Sequence, residues 1–381
     1  MLVGIDASRA TAARPTGTEN YSLHLIRALL SLDTPHHWRL YFNRPPADDL
    51  FGILGEQRVI PLPRLWTHLA LSWEMVKHPP DVLFVPSHVL PLAHPARSVV
   101  TVHDLGFHYH PEAHTLSQNI YLRWSTRHNA RAATRLLADS DATRRDLIQL
   151  YDVPPEKIDV VYPGRDESLA PATDRAILAA IRARYHLTAP YLLYIGTLHP
   201  RKNLTRLIQA FAHLLSQLPN QPTNQSANPP TNLHLVIAGQ KGWLYDDIFA
   251  QVRRLGLEER VTFTGYVPDP DKPALLSGAL AFVFPSLYEG FGIPVVEAMA
   301  CGTPIICSNT SSLPEVAGDA ALLVDPLDTE AIAGAMARMV TDPELRRVLA
   351  ERGVRQARRF SWTRSAREAL AVIERVGRGV D

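Results

Sequence analysis

The sequence predicts an α/β protein made of two Rossmann-like domains, each a doubly wound parallel sheet. Three observations predict it. Short runs of Val, Ile, Leu and Tyr alternate with helical patterns along the whole chain, which is the signal of βαβ units. Several runs, such as Leu233 to Ala238, are almost continuously apolar, as strands covered on both faces are. The chain has 381 residues, long for one domain and comfortable for two.

In the first half the pattern predicts strands at 2–6, 38–42, 57–60, 81–85, 98–102, 136–139 and 157–161. Helices are predicted at 18–31, 65–77, 116–134 and 141–150. The second half opens with Tyr191-Leu192-Leu193-Tyr194-Ile195 and continues with strands at 233–238, 261–264, 279–284, 304–307 and 321–324, with helices between them. The division is expected between Pro163-Gly164 and Pro190, with domains at 1–165 and 166–360 and a terminal helical segment at 361–381. Ligands of doubly wound sheets bind outside the strands' carboxyl ends, so two such domains are expected to face each other across a cleft that holds one site. Pro219 to Asn232, rich in Pro, Asn, Gln and Thr, reads as a flexible surface insertion or a partner-binding loop.

Composition narrows the classes. Hydrophobic content of 46% with 20% charged residues is that of a globular protein with an ample core. A net charge of +1 gives no whole-chain pull toward nucleic acid. Cys301 and Cys307 have no metal-ligand pattern around them and read as buried apolar residues of a reducing compartment. Met1 runs straight into the first strand, so no signal peptide is expected, and no apolar run approaches the ~20 residues a membrane span needs. The expected location is cytoplasmic, or peripheral on the inner membrane face.

The most informative stretch is Phe284 to Pro304. It leaves an apolar strand, crosses a loop with Gly290 and Gly292, and enters a short helix with Pro294 in its first turn and Gly302 at its stop. Glu289 in the loop and Glu297 in the helix flank a helix N-terminus whose N–H groups attract an anion. Hydroxyls for the carboxylates and phosphates for the N–H groups describe a nucleotide sugar. This segment resembles the Glu-x7-Glu signature of the retaining glycosyltransferases of family 4, the group 1 glycosyltransferases, which have the GT-B fold. The resemblance is mannosyltransferase-like and extends from Asp6 to Trp362, the 219–232 insertion excepted. It implies that Glu289 contacts the donor sugar and Glu297 the donor ribose. It further implies that 166–360 is the donor-binding domain, that 1–165 lies on the acceptor side, and that 361–381 crosses back to the first domain with Trp362 as anchor.

Gly196-Thr197-Leu198-His199-Pro200-Arg201-Lys202-Asn203-Leu204 places two cations at a strand's carboxyl end, where they would stabilise a departing nucleoside diphosphate. It resembles the family's Gly-Thr-Leu-Glu-Pro-Arg-Lys-Asn-Leu segment, whose basic pair binds the donor diphosphate, and His199 departs from the usual Glu. Arg201 and Lys202 inherit that role, and the pattern favours GDP-mannose as donor. Gly196, Thr197, Gly290, Phe291, Gly292 and Ile293 are implied around the same donor. In the first half, His103-Asp104-Leu105 resembles the family's His-Asp-Leu segment and puts His103 beside the reacting sugar. Thr16-Gly17-Thr18-Glu19 resembles the family's glycine loop, with close backbone approach to phosphate at Gly17; the other reading is a plain turn. Ala138-Asp139-Ser140 and Tyr162-Pro163-Gly164 match family positions at strand ends.

Three further features carry weaker readings. His108, His110 and His114 invite a metal, but no carboxylate or Cys framework accompanies them. Asp269-Pro270-Asp271 reads as a turn and helix cap. Arg123, Arg127, Arg131 and Arg135 recur every four residues as one helical stripe, either a solvated face or a membrane-surface patch.

The resemblance therefore implies a metal-independent, retaining hexosyltransferase acting from a nucleotide sugar onto a glycan or lipid-linked acceptor. It needs no cofactor and no nucleic acid, and a peripheral membrane contact is left open. A front-face substitution is implied, with domain closure over the donor. Other readings are an epimerase or phosphorylase of the same fold, or a non-catalytic nucleotide-binding module. A Rossmann dehydrogenase would need the Gly-x-Gly-x-x-Gly fingerprint, which the chain lacks.

Overall fold

The computed structural model describes residues 1–11, 17–47, 50–52, 54–62, 65–87, 89–218 and 232–379. The insertion expected at 219–232 lies outside them, Asn232 excepted. The chain divides into two compact units, Met1–Gly164 with Phe360–Asp381, and Arg165–Arg359.

Unit 1 is built on a parallel sheet of β1 (Leu2–Asp6), β2 (His37–Phe42), β3 (Glu56–Val59), β4 (Val82–Val85), β5 (Ser98–Val102), β6 (Arg135–Ala138) and β7 (Ile158–Val160), in the order β3-β2-β1-β4-β5-β6-β7. Its central strands β4 and β5 are fully buried because both faces are covered, whereas the edge strand β3, Glu-Gln-Arg-Val, is exposed. On β4, Val82 and Phe84 join one buried cluster while Leu83 and Val85 join the other. The first cluster is closed by the helices Gly17–Leu30 and Trp362–Arg378. Ser361 caps the latter by accepting the Arg364 N–H. Trp362 is buried, edge-on to Tyr21 at 5.7 Å and stacked on His24 at 5.5 Å.

Unit 2 has a parallel sheet of β8 (Tyr191–Ile195), β9 (His234–Ala238), β10 (Val261–Gly265), β11 (Ala281–Phe284), β12 (Ile305–Ser308) and β13 (Ala321–Val324), ordered β10-β9-β8-β11-β12-β13. The helix Leu204–Gln217 covers it with Leu204, Leu207, Ile208, Phe211 and Leu214, an apolar stripe at helical spacing. In both sheets the strand order reverses beside the first strand, between β1 and β4 and between β8 and β11. At such a switch point, neighbouring strands send their connections to opposite faces and open a crevice at their carboxyl ends.

Three expectations change. Arg135 does not extend the arginine stripe: the helix stops at Ala132, Arg135 opens β6, and its guanidinium pairs with Asp159 at 2.8 Å. Residues 65–77 form no single α-helix. Thr67–Leu71 is a π-helical turn, with the Leu71 N–H reaching the Trp66 carbonyl, and regular helix follows at Ser72–Lys77. Asp269-Pro270-Asp271 is a 3-10 turn, but Asp271 makes no cap. Its carboxylate is taken by Arg184 at 2.7 Å and the Tyr185 hydroxyl at 2.7 Å; burial acts to raise its pKa, but the hydrogen bonds from Tyr185 and Arg184, with the Arg184 charge, hold it below the ordinary value.

Trp362→Ala removes a buried ring that joins two helices of unit 1, and is expected to cost about 3 kcal/mol or more of stability. Thermal unfolding followed by circular dichroism checks this; an unchanged midpoint contradicts the anchoring role.

Candidate active site

In unit 2 the switch point makes neighbours of two loops far apart in sequence. The loop after β8 carries Gly196 to Lys202, and the loop after β11 carries Pro285 to Gly292. They are joined by the Leu287 N–H, which donates to the Arg201 carbonyl at 2.9 Å. They are joined again by Asn203, buried and left-handed at φ 59°, whose amide donates to the carbonyls of Pro285 at 3.0 Å and Pro326 at 2.7 Å. Asn is among the few residues that adopt this conformation readily. Across this junction Lys202 Nζ meets Glu289 Oε1 at 2.5 Å, with the ammonium 5.1 Å from the centre of the Phe284 ring. Both side chains are largely buried, so the pair is screened little by solvent.

The β11 loop is held in turn by hydroxyls from the end of β12 and the loop after it. Ser311 Oγ accepts the Glu289 N–H at 3.0 Å, and Ser312 Oγ donates to the carbonyls of Glu289 and Phe291 at 3.0 and 2.8 Å. Ser308 Oγ donates to the Ser286 carbonyl at 2.7 Å. Gly290, Phe291 and Gly292 are buried, and Ile293 opens the helix Ile293–Ala300. Gly292 stands at φ +105°, and a Cβ there would come within 2.7 Å of Leu313 Cδ2, so no other residue fits without displacement. Pro294 has no N–H and the Val295 N–H returns to the Gly292 carbonyl, so this helix end presents fewer donors than the four of an ordinary start. The same helix stops where Gly302 and Thr303 donate to the carbonyls of Met299 and Ala298.

On the β8 side, Gly196 lies against Gly239 so closely that a Cβ on Gly239 would sit 2.0 Å from the Gly196 carbonyl oxygen. Thr197 is exposed, and its carbonyl accepts the Tyr194 hydroxyl at 3.3 Å. His199, the departure from the family pattern, is buried edge-on to Trp243 at 4.2 Å, and its Nδ1 accepts the Arg201 N–H at 3.2 Å. It caps the 3-10 turn Pro200–Lys202 that presents the two cations.

Glu297 stands apart from the Lys202–Glu289 pair. It lies 3.6 Å from Lys272, which also holds Asp269 at 2.9 Å. Burial pushes the Glu297 carboxyl above its ordinary pKa, with Lys272 pulling the other way. Cys301 and Cys307 are both buried thiols, pushed up to about 12 by burial.

In unit 1, His103 follows β5 and Asp139 follows β6, the adjacent strand, so the two meet: His103 Nδ1 and Asp139 Oδ2 are 2.7 Å apart. Burial alone would lower the imidazole pKa, but the Asp139 charge and hydrogen bond, with Asp104 adding, hold it above the ordinary value. The Thr143 hydroxyl donates to the His103 carbonyl at 3.3 Å, and Tyr21 packs edge-on to the ring at 4.7 Å. Gly17 begins the helix Gly17–Leu30, and a Cβ there would meet nothing within 4 Å, so internal packing does not demand glycine. His108 is hydrogen-bonded to Tyr151 at 2.7 Å and His110 faces Glu112 at 3.1 Å. Among the described residues no group of three His, Cys, Asp or Glu side chains is placed to hold a metal.

The sequence reading overlooked Asn203 as a staple, Ser308, Ser311 and Ser312 as the support of the acidic loop, Lys272 as partner of Glu297, and Asp139 as partner of His103. The signal for the serines was present: a hydroxyl-rich run straight after an apolar strand. Asp139→Asn removes the charge that does most to raise the His103 pKa and leaves burial opposed only by Asp104 and the Pro86 backbone. His103 should then titrate lower than in the parent protein, shifted down toward the ordinary imidazole value of about 6.5. In the parent protein the pair adds stability that is complete below that value and is lost as pH rises through the elevated folded value. Titration of the imidazole by NMR in both proteins checks the sign.

Residues 181–356 match the family model described as Glycosyl transferases group 1, and residues 15–169 match that of Glycosyltransferase Family 4. O-antigen chain mannosyltransferase B of Escherichia coli is 36% identical over 266 residues, which are 70% of this chain and 67% of that protein. The serotype-specific mannosyltransferase WbdA of Escherichia coli is 30% identical over 246 residues, 64% of this chain but only 29% of that longer protein. Sucrose-phosphate synthase from Thermosynechococcus elongatus has the same fold, with a TM-score of 0.76 over 100% of both chains at 20% identity. The two parallel-sheet units are those of the GT-B architecture. The chain belongs to glycosyltransferase family 4, the group 1 glycosyltransferases.

Proposed function

We propose that the protein is a retaining glycosyltransferase that moves a hexosyl unit, mannose favoured, from a nucleotide sugar to a hydroxyl of a glycan or lipid-linked acceptor. GDP-mannose is the favoured donor, and the mannosyltransferase relatives support that choice of sugar. One observation carries the reading: Lys202 and Glu289, brought to 2.5 Å by the β8/β11 switch point and braced by Asn203 and the β12 serines. A fixed cation beside a fixed carboxylate suits a donor whose phosphate is anionic and whose sugar offers hydroxyls.

The chemistry follows from those groups. The acceptor oxygen forms a bond to the anomeric carbon on the face from which the nucleoside diphosphate leaves. The bond from that carbon to the phosphate oxygen breaks, and the acceptor's proton passes to the departing phosphate. Arg201 and Lys202 offset the charge that develops on the leaving group, and being already positioned they need no reorganisation. Glu289 holds the sugar through its hydroxyls, and Glu297 receives the ribose. His103 is assigned to the sugar, with its ring orientation set by Asp139.

Incubation with a panel of UDP- and GDP-sugars and an acceptor, with released nucleoside diphosphate and glycosylated product both measured, tests the assignment. Product from no donor overturns it; product from a donor other than GDP-mannose corrects only the sugar or base. Glu289→Ala and Lys202→Ala should each lower kcat by about 100-fold or more. Glu297→Ala should instead raise KM for the donor more than it lowers kcat. Near-parental turnover in the first two variants would remove them from the site.

With Arg201 and Lys202 meeting the diphosphate charge, transfer is expected to persist in EDTA. Loss of product in EDTA, restored by Mg²⁺ or Mn²⁺, would show instead that a cation shares that task.

A further inference from the structure

The proposed course of transfer leaves one built loop of unit 2 unused: Gly239 to Tyr245, after β9. This loop is bonded onto the one that carries the cations. The Leu198 N–H donates to the Gln240 carbonyl at 2.8 Å, and the Gly242 N–H returns to the Leu198 carbonyl at 3.0 Å. Gly242 is held so close that a Cβ there would stand 2.7 Å from the Leu198 carbonyl oxygen. Lys241 Nζ lies 5.0 Å from the ring centres of Tyr245 and Phe249, holding the far side of the loop. Between these ties stands Trp243, packed edge-on to His199 at 4.2 Å and yet 50% exposed. Leu244 beside it is 62% exposed at φ 54°, a conformation unusual for a bulky side chain. A large ring kept half in solvent by so firmly bonded a loop points to a ligand.

Strand order selects which ligand. β9 lies on the side of β8 away from β11, so the loops bearing Trp243 and Glu289 flank the Arg201–Lys202 loop from opposite sides. The path from β8 to β9 to β10 steps one way along the sheet, and the path from β10 to β11 to β12 steps back. Right-handed crossovers therefore put Asp246–Arg254, which follows Trp243, on one face. They put Lys272–Ser277 and Ile293–Ala300 on the other, with Lys272 and Glu297 and hence the ribose. Nucleoside and donor sugar thus both fall away from Trp243. The acceptor does not, because in a front-face substitution its oxygen arrives beside the departing diphosphate. That diphosphate belongs to Arg201 and Lys202, whose turn is capped by His199, the neighbour of Trp243. A pyranose ring offers a face of C–H groups, whose weakly positive hydrogens match the negative face of an indole.

We propose that Trp243 is the stacking platform for a pyranose ring of the acceptor glycan, and so a specificity-determining residue of the transfer. The inference rests on the proposed course of transfer, and the experiment separates the two. On the full-length chain, binding of GDP and UDP is measured by calorimetry, and binding of α-linked mannotriose and of chitobiose by saturation-transfer NMR. At least one saccharide is expected to bind the parent protein, with saturation strongest on the C–H protons of one ring face. Trp243→Leu and Trp243→Phe both keep an apolar contact with His199, but only the second keeps an aromatic face. Trp243→Leu should weaken saccharide binding about three- to tenfold and Trp243→Phe less, with nucleotide affinity unchanged in both. No saccharide bound by the parent, parental binding by Trp243→Leu, equal losses in the two variants, or nucleotide affinity lost along with the saccharide overturns the proposal. Saccharide binding that depends on Trp243, with neither nucleotide bound, upholds it and removes the donor reading instead.

Discussion

The loops at the carboxyl end of the unit 2 sheet depend on the buried amide of Asn203. Its two donated hydrogen bonds tie the loop after β8 to those after β11 and β13, and its own carbonyl oxygen accepts from Arg206 at 2.9 Å. Buried carbonyls deprived of such a donor each cost roughly 1–3 kcal/mol, so this one side chain adds substantially to the backbone bond from Leu287 to Arg201 that also joins the first two loops. Lys202 is the preceding residue, and its reach to Glu289 is set by the same staple. Under the role proposed for Lys202, this linkage would hold the group in place before charge develops in a transition state.

Within each unit, most of the charged candidate residues have a specific partner. Lys202 faces Glu289, Lys272 bridges Glu297 and Asp269, and His103 faces Asp139. Burial would otherwise make these groups costly, and the partners offset that cost while fixing orientation. The pairing also separates roles. Glu289 is tied to the loop that carries the cations, whereas Glu297 belongs to a helix flank with its own lysine. The two acids of one signature therefore answer to different electrostatic surroundings.

Both units use one topological device, a reversal of strand order beside the first strand, and both place their candidate residues at strand carboxyl ends. The fold accounts for where a site forms and not for which sugar it takes, because the same architecture hosts many chemistries.

The sequence by itself determined the strands, since apolar runs such as Val82 to Val85 have one explanation when both sheet faces are covered. It also determined the short helix after Phe284, whose Pro294 and Gly302 mark its start and stop through backbone chemistry alone. Only the tertiary structure decided which of these elements are neighbours. Residues 202 and 289 meet because β8 and β11 are adjacent in the sheet, and 103 and 139 meet because β5 and β6 are. It also decided against the fourth arginine of the stripe and against a cap at Asp271, whose long-range partners, Asp159 and Arg184, took those side chains instead. Local periodicity records which side of an element faces the core; strand order and long-range charge pairing leave no such record along the chain.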